Sequence, residues 1–324
     1  QPVASGQLVT PGFAVAQVAP TDKLIADVDL VGPDVADPEA FILRSHKLHD
    51  EEVPPSVLAV ARAGAGVNNI PIEAYTSQGI VVFNTPGANA NAVKELVIAG
   101  MLLAARNICP AWRYVQDLEA EGAALNKLVE AGKKKFVGFE LPARTLGVVG
   151  LGAIGGEVAN AAHSLGMRVI GFDTQLTVER AWQLSSGIEQ ARSLDDLFSR
   201  ADIVSFHVPL NDATRNLANA ERIALMPEGS VLLNFARGGI VDDQAVESAL
   251  AGNRLAAYVT DFPVAGLKDH PRVVALPHLG ASTAEAEENC AIMVANNVRD
   301  YLENGNIRHS VNFPEAQMPR EGDN

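Results

Sequence analysis

Six short runs of apolar residues recur through the middle of this 324-residue chain. They are rich in Val, Ile, Leu and Phe and continuous rather than alternating, which is typical of strands buried on both faces of a parallel sheet. Helical stretches, such as 155–165 and 242–251, separate them. We therefore predict an α/β fold built on a Rossmann-type, doubly wound parallel sheet. The six runs are residues 145–149, 167–173, 202–208, 230–236, 256–262 and 273–278.

A second, shorter series of strands and helices precedes this sheet. Two long helices are predicted at 91–107 and 282–302, at the points where the two series meet. We expect the chain to cross there between a smaller, flavodoxin-like α/β domain and the doubly wound domain. The smaller domain is then discontinuous, with residues 1–90 and 281–324, and the larger one, residues 91–280, is inserted in it. The predicted strands of the smaller domain are 41–45, 58–63 and 80–83.

The charge of the chain excludes several classes of partner. Lys and Arg number 25 against 39 Asp and Glu, a net charge of −14, and so acidic a surface repels phosphate backbones and anionic lipid. No apolar run reaches the ~18 residues of a membrane span. The first basic residue is Lys23, so the start lacks the basic region of a signal peptide. With Cys109 and Cys290 as the only cysteines, we expect a cytoplasmic protein without disulfides or a metal site.

A glycine-rich turn follows the first strand of the larger domain and opens a helix. It reads Gly150-Leu151-Gly152-Ala153-Ile154-Gly155, and Asp173 stands at the end of the next strand. This is the dinucleotide-binding fingerprint, in which the three glycines permit a tight turn, close approach of the pyrophosphate and close packing of helix on strand. The Asp173 carboxylate would bind the ribose hydroxyls and repel a 2′-phosphate, which favours NAD over NADP. We predict cofactor contacts from Gly150, Gly152, Ala153, Ile154, Gly155 and Asp173.

Further polar or unusual residues stand at the ends of the later strands. Val208 and Pro209 follow the third run, Arg237 follows the fourth, Asp261 lies near the end of the fifth, and His278 ends the sixth. In doubly wound sheets, ligands bind outside the carboxyl ends of the strands. These residues are therefore candidates for the functional site.

Two of these strand ends lie in longer runs that resemble a known family. Residues 232–242, with Leu232-Leu233-Asn234-Phe235-Ala236-Arg237-Gly238-Gly239, and residues 276–283, with Leu276-Pro277-His278-Leu279-Gly280, are similar to the signatures of the D-isomer-specific 2-hydroxyacid dehydrogenases. Segments 62–69, 84–87 and 310–314 resemble the branch that oxidises 3-phospho-D-glycerate to 3-phosphohydroxypyruvate with NAD, the first step of serine biosynthesis. Many members of that branch carry a C-terminal regulatory domain, and we expect this chain to be a short form without one.

The resemblance implies roles for individual residues. Arg237 would bind the substrate carboxylate and polarise the C2 oxygen, because a guanidinium fork matches a carboxylate. His278 would take the C2 hydroxyl proton while hydride leaves for the nicotinamide. Asp261 falls at the position that holds the nicotinamide carboxamide. Val208, Pro209, Ala236 and Gly280 complete the expected cofactor contacts.

The smaller domain is expected to bind the anionic substrate. The backbone of Gly64, Ala65 and Gly66 would accept the carboxylate, because small residues expose N–H groups to an anion. Arg44, Ser45 and Lys47 match the stretch expected to hold the phosphate. Arg62 would add to this local cluster of positive charge.

One part of the family pattern is missing. A Glu is expected shortly after Asp261, hydrogen-bonded to the catalytic His, but that position falls on Ala265 or its neighbour, and the next carboxylate is Asp269. Two alternatives therefore stay open. The chain could act on another D-2-hydroxy acid, of the glyoxylate or D-lactate type, or it could be an NAD-sensing binding protein with little catalysis.

The segment after the first long helix carries Trp112 and Tyr114. Aromatic residues are frequent at subunit interfaces, and two-fold dimers are the commonest assembly. We therefore expect a homodimer.

Overall fold

The computed structural model describes residues 38–318 and the backbone of two short strands before them, β1 (Leu8–Thr10) and β2 (Phe13–Val15), which pair antiparallel. The chain forms two compact units. The smaller unit consists of Gln1–Asn89 together with Ser282–Asn324, and the larger unit is Ala90–Ala281.

A sheet of seven parallel strands organises the larger unit. The strands are β6 (Thr145–Val149), β7 (Arg168–Phe172), β8 (Ile188–Gln190), β9 (Ile203–Phe206), β10 (Ser230–Asn234), β11 (Leu255–Thr260) and β12 (Val273–Ala275). Their order across the sheet is β12-β11-β10-β9-β6-β7-β8, and every pair is parallel. The chain runs outward in both directions from β6 and β9, so the crevice for a ligand lies at their carboxyl ends. The predicted Rossmann-type fold is confirmed.

Helices cover both faces of this sheet. Leu146 and Val148 of β6 point into one apolar core, and Val149 points into the other. Because both faces are covered, most positions of the central strands are apolar. The helices are α2 (Ala90–Ala105), α3 (Ile108–Gln116), α4 (Gly122–Gly132), α5 (Ala153–Ser164), α6 (Val178–Gln183), α7 (Leu194–Arg200), α8 (Ala220–Leu225) and α9 (Asp243–Ala251).

A smaller parallel sheet of β3 (Ala40–Leu43), β4 (Ala59–Arg62) and β5 (Val81–Phe83), in that order, organises the other unit. One face is packed by α10 (Ala284–Asn304), where Val294 and Val298 contact Ala59 and Ala61 of β4. The amide of Asn312 extends the edge of the sheet, accepting from Val82 N at 2.8 Å and donating to Ile80 O at 2.9 Å. The unit also contains α1 (Ile72–Ser77).

The structure differs from the predicted elements in three places. β8 was not predicted, because this edge strand has one apolar residue in three, Ile188 followed by Glu189 and Gln190. The helix predicted over 91–107 ends at Ala105, since Asn107 adopts a left-handed backbone with φ of 51° and a new helix then begins. Lys133–Phe136, for which no helix was predicted, is a turn of 3-10 helix.

None of the helices within residues 38–318 has both the length and the apolar composition needed to cross a bilayer.

Candidate active site

The glycine turn between β6 and α5 has the geometry that a dinucleotide phosphate requires. Gly150 has a φ of +91°, and a Cβ there would lie 2.6 Å from the His207 carbonyl oxygen. A Cβ on Gly155 would collide with the Gly150 carbonyl, so neither position has room for a side chain and both require glycine. A Cβ on Gly152 would meet nothing within 4 Å, which leaves open space at the N-terminus of α5. Ala153 and Ile154 form the first turn of this helix, whose backbone N–H groups favour an anion.

Asp173 stands at the end of β7, beside this turn. One carboxylate oxygen accepts from Leu151 N at 2.6 Å and the other from Gln175 N at 2.7 Å, so the backbone fixes its orientation. Each oxygen has a second lone pair, which leaves acceptor capacity for ribose hydroxyls. The carboxylate borders a cleft of about 290 Å³ that is also lined by Leu176 and Leu184. These residues fit the adenosine end of NAD.

The end of β9 lies on the other side of the glycine turn. Its backbone continues the sheet, since His207 N donates to Val149 O at 2.7 Å. The His207 ring has Nε2 2.9 Å from the Ser205 hydroxyl, and burial lowers the pKa of this histidine to about 3. It is therefore neutral near pH 7, and no positive charge is added beside the turn. Two predicted cofactor residues follow His207: Val208, which is half-buried, and Pro209, which is exposed.

Arg237 lies in the loop after β10, and Asn234 holds that loop in place. The Asn234 side chain is buried; its amide nitrogen donates to Arg237 O at 2.9 Å, and its oxygen accepts from Ala236 N at 3.2 Å. The guanidinium of Arg237 is exposed, and its Nη1 donates a hydrogen bond to Ala236 O at 2.7 Å. Its other N–H groups can bind a carboxylate. Asn234 was not predicted as a site residue, although an amide ending an apolar strand is a signal for such a role.

His278 lies in the loop after β12, and Asp261 holds this second loop. Asp261 is 1% exposed, and its two oxygens accept from Leu279 N at 2.8 Å and Gly280 N at 2.7 Å. The backbone N–H of His278 donates to Asp261 O at 3.1 Å, and His278 itself has a φ of +58°. The structure thus gives Asp261 a structural task, closing the loop that presents the exposed His278 ring. Contact of this carboxylate with the nicotinamide stays a prediction.

The predicted substrate residues of the smaller unit form two adjacent loops. Arg62 joins them, since its Nε donates to Arg44 O at 2.8 Å and its Nη1 donates to Gly66 O. Asn69, which was not predicted, donates from its amide to His46 O at 2.6 Å and to Arg44 O at 3.3 Å. Arg62 therefore supports the loops through their backbone, and its contact with the substrate stays a prediction.

The side chains presented by the first loop differ in their contacts. Arg44 pairs with Glu287 of α10, with 2.8 Å between Nη1 and Oε1. Ser45 and Lys47 are exposed. A phosphate at Arg44 would have to share this guanidinium with a carboxylate.

The second loop presents backbone amides. Gly64 N donates to Arg62 O at 2.9 Å, and Asn84 donates from its side chain to Ala65 O at 2.7 Å. A Cβ on Gly64 would lie 2.8 Å from Arg62 Nη1, so a larger residue there would displace that guanidinium. Among residues 38–89 and 282–318, the N–H groups of Ala65 and Gly66 find no hydrogen-bond acceptor. Both donors can therefore meet an anion.

Within residues 38–318, no three His, Cys, Asp or Glu side chains come together as a metal site.

Comparisons with known proteins agree with this geometry. Residues 98–280 match the NAD-binding domain of the D-isomer-specific 2-hydroxyacid dehydrogenases. The chain is 38% identical over 269 residues to the D-3-phosphoglycerate dehydrogenase of Methanocaldococcus jannaschii, covering 81% of this chain and 49% of that protein. It thus spans about half the length of that relative.

Solved structures show the same fold in enzymes with different substrates. The D-mandelate dehydrogenase of Rhodotorula graminis superposes with a TM-score of 0.75 at 26% identity, covering 87% of this chain and 86% of that one. The NAD-bound 3-phosphoglycerate dehydrogenase of Entamoeba histolytica gives 0.65 at 29% identity, covering 86% and 83%. The fingerprint turn, the two loops at the carboxyl edge and these matches lead to one conclusion: the chain belongs to the D-isomer-specific 2-hydroxyacid dehydrogenase family, and residues 98–280 are its NAD-binding domain.

Proposed function

We propose that this protein oxidises 3-phospho-D-glycerate to 3-phosphohydroxypyruvate with NAD. The observation that carries the proposal is the pair of fixed loops at one edge of the sheet. Asn234 holds the loop of Arg237, and Asp261 holds the loop of His278. The guanidinium of Arg237 and the imidazole of His278 therefore lie at the same edge of the sheet as the glycine turn, which fits a dinucleotide. The similarity to curated D-3-phosphoglycerate dehydrogenases supports the choice of substrate.

The chain's own residues perform the polar part of this reaction. Arg237 binds the substrate carboxylate and stabilises negative charge on the C2 oxygen. A ring nitrogen of His278 takes the C2 hydroxyl proton as the carbonyl forms, and it returns that proton in the reverse direction. Asp173 and the turn at Gly152 hold and orient the dinucleotide. NAD, when bound, supplies the hydride acceptor.

The smaller unit, with residues 1–90 and 281–324 as the proposed substrate domain, supplies the anion contacts. Ala65 and Gly66 donate from their backbone to the carboxylate. Arg44, Ser45 and Lys47 bind the phosphate. This assignment requires the Arg44 guanidinium to exchange part of its contact with Glu287 for the phosphate.

The ion pair between Arg44 and Glu287 also favours a second candidate function. A guanidinium already neutralised by a carboxylate is a weaker phosphate site, so an unphosphorylated D-2-hydroxy acid, of the lactate or glyoxylate type, is the alternative substrate. An NAD-sensing binding protein with little turnover is the remaining alternative.

Steady-state kinetics with NAD and 3-phosphoglycerate, and with D-lactate, tests the proposal. Reduction of glyoxylate with NADH tests the alternative. We expect the highest kcat/KM for 3-phosphoglycerate, and a loss of at least about 100-fold in both Arg237→Ala and His278→Gln. Higher kcat/KM for an unphosphorylated acid would replace the proposal by the alternative. NADH binding without turnover of any of these acids would identify a binding protein.

We further propose that the protein is a cytoplasmic homodimer. Helix α3 presents Ile108, Trp112 and Val115 on one side at helical spacing, and these side chains are 43%, 64% and 46% exposed. An apolar stripe of this kind on a short helix is typical of an interface. Tyr114 does not share it, because its hydroxyl donates to Leu128 O at 2.8 Å and its ring packs on Phe136.

A further inference from the structure

The ring of Phe262 lies against the ring of His278. Their centroids are 4.9 Å apart and their planes are inclined by 54°. This is the separation at which tilted aromatic pairs attract each other. Phe262 also borders the other loop, since a Cβ on Gly238 would lie 3.6 Å from Phe262 Cβ. The phenyl ring therefore stands between the residue that follows Arg237 and the ring of His278.

The backbone of Phe262 is fixed on its N-terminal side. Its N–H donates to the Thr260 hydroxyl at 3.1 Å, and the preceding residue is the buried Asp261. The position of the phenyl ring is thus set by the end of β11 and not by the exposed loop beyond it.

Within residues 90–281, no polar side chain performs the same task for His278. Within the larger unit, the His278 side chain makes no hydrogen bond. Asp269, the nearest carboxylate that follows Asp261 in the chain, is 81% exposed and pairs with Lys268 at 2.7 Å. An exposed imidazole without a hydrogen-bonded partner can rotate about both side-chain torsions, so its direction depends on the surface against which it packs.

We propose that Phe262 is a positioning residue that orients the His278 imidazole by ring contact, in the place where a carboxylate would otherwise do so. The proposal rests on the proposed function, in which His278 exchanges a proton with the substrate. A phenyl face also tolerates both protonation states of the imidazole, because it packs against the neutral ring and its quadrupole attracts the cation.

The first test reads the ring contact directly and needs no turnover. In a protein with labelled histidines, the imidazole resonances of His278, assigned through His278→Gln, are compared between wild type, Phe262→Leu and Phe262→Tyr. We expect the resonances to move in Phe262→Leu, which loses the ring current, and to stay near the wild-type position in Phe262→Tyr. Phe139→Leu removes a half-buried ring elsewhere in the same unit and is the matched control. Unchanged His278 resonances in Phe262→Leu would overturn the proposal.

The second test asks whether Phe262 acts through His278. Phe262→Leu should lower kcat about tenfold with KM for NAD within twofold, and Phe262→Tyr should restore most of the rate. In the His278→Gln background, Phe262→Leu should cost less than twofold further, because the residue it orients is gone. An equal loss in both backgrounds would show that Phe262 acts otherwise. If the wild type turns over no hydroxy acid, the proposed function is wrong. The resonance test, which needs no turnover, then still shows whether Phe262 packs on His278.

Discussion

Arg44 and Glu287 form an ion pair in the smaller unit, with 2.8 Å between Nη1 and Oε1 and 26% of each side chain exposed. Glu287 lies in the first turn of α10, where the helix dipole favours a negative charge. The guanidinium and the helix N-terminus both attract this carboxylate, which stands where the proposed substrate phosphate needs the guanidinium.

The first prediction concerns this pair. Glu287→Gln keeps a hydrogen-bond acceptor for Arg44 and removes the competing charge, so KM for 3-phosphoglycerate should fall about threefold relative to KM for D-lactate. Glu285→Gln, an exposed carboxylate in the same turn, is the control and should change neither value. If the ratio of the two KM values rises in Glu287→Gln, then the pair presents Arg44 to the phosphate instead of competing for it.

The second prediction concerns the choice of cofactor. Asp173→Asn should weaken binding of NADH about tenfold and should leave NADPH less affected, because the lost charge both attracted ribose hydroxyls and repelled a 2′-phosphate. Quenching of protein fluorescence on titration with each nucleotide measures this without substrate. Glu189→Gln, which lines the same cleft, should keep the wild-type preference. An unchanged ratio of the two affinities in Asp173→Asn would remove Asp173 from the cofactor site.

The third prediction concerns the loop of His278. In Asp261→Asn, an amide nitrogen replaces one of the two oxygens that accept from Leu279 N and Gly280 N, and two donors then face each other. Leaving buried groups unsatisfied should lower the free energy of unfolding by about 2 kcal/mol, measured by urea denaturation. Asp242→Asn, at the N-cap of α9, should cost under ~0.5 kcal/mol, because Asn and Asp cap equally well. Similar losses in the two variants would show that the Asp261 hydrogen bonds are not the cause.

The fourth prediction follows from the pKa of His207, which burial lowers to about 3. In the unfolded chain this histidine takes up a proton near pH 6.5, while in the folded protein it does so only near pH 3. The unfolded state therefore binds more protons between these values, and stability is lost as pH falls below about 6.5. The loss should reach at most ~2 kcal/mol between pH 6.5 and pH 5.

Urea midpoints at pH 7 and pH 5 measure this loss. His207→Asn should reduce the difference between the two midpoints, whereas His49→Asn, which replaces an exposed histidine, should not. Equal pH dependence in His207→Asn and wild type would show that His207 is not the group responsible.

The fifth prediction concerns the α3 surface of Ile108, Trp112 and Val115. Replacement of Trp112, which is 64% exposed, by Glu should convert a dimer to a monomer in light scattering at micromolar concentration, since a charge in an apolar interface is strongly disfavoured. Trp182→Glu is the matched control, because Trp182 is 86% exposed on a different helix and should not affect assembly. A wild-type monomer would contradict the proposed dimer.

Much of the larger unit could be predicted from sequence, because most positions of its central strands are apolar. Residues 145–149 coincide with β6, and the other five runs each contain a strand or nearly all of one. The runs extend past their strands at the carboxyl ends, for example through Phe235 and Ala236, because loop residues at that edge also pack on the core. The edge strand β8 is mostly polar, so no apolar run marks its position in the sequence.

The supporting contacts of the site could not be predicted in the same way. Asn69 and Phe262 act on backbone or rings brought to them by the fold. Arg62 was predicted to join the local cluster of positive charge that binds the substrate, but the sequence did not reveal that its Nε donates to the Arg44 carbonyl, 18 residues earlier in the chain. Charge is visible in a sequence, whereas the direction of a side chain is set by its neighbours in space.

The sequence by itself determined the doubly wound sheet, the glycine turn and the residue types at the strand ends, because hydrophobic runs and the special backbone freedom of glycine are local properties. Only the tertiary structure decided what each of those end residues touches. Asp261 closes the loop of His278, Glu287 shares the guanidinium of Arg44, and Phe262 packs on the His278 ring, since each of these pairs joins segments that meet only after the strands and helices have assembled.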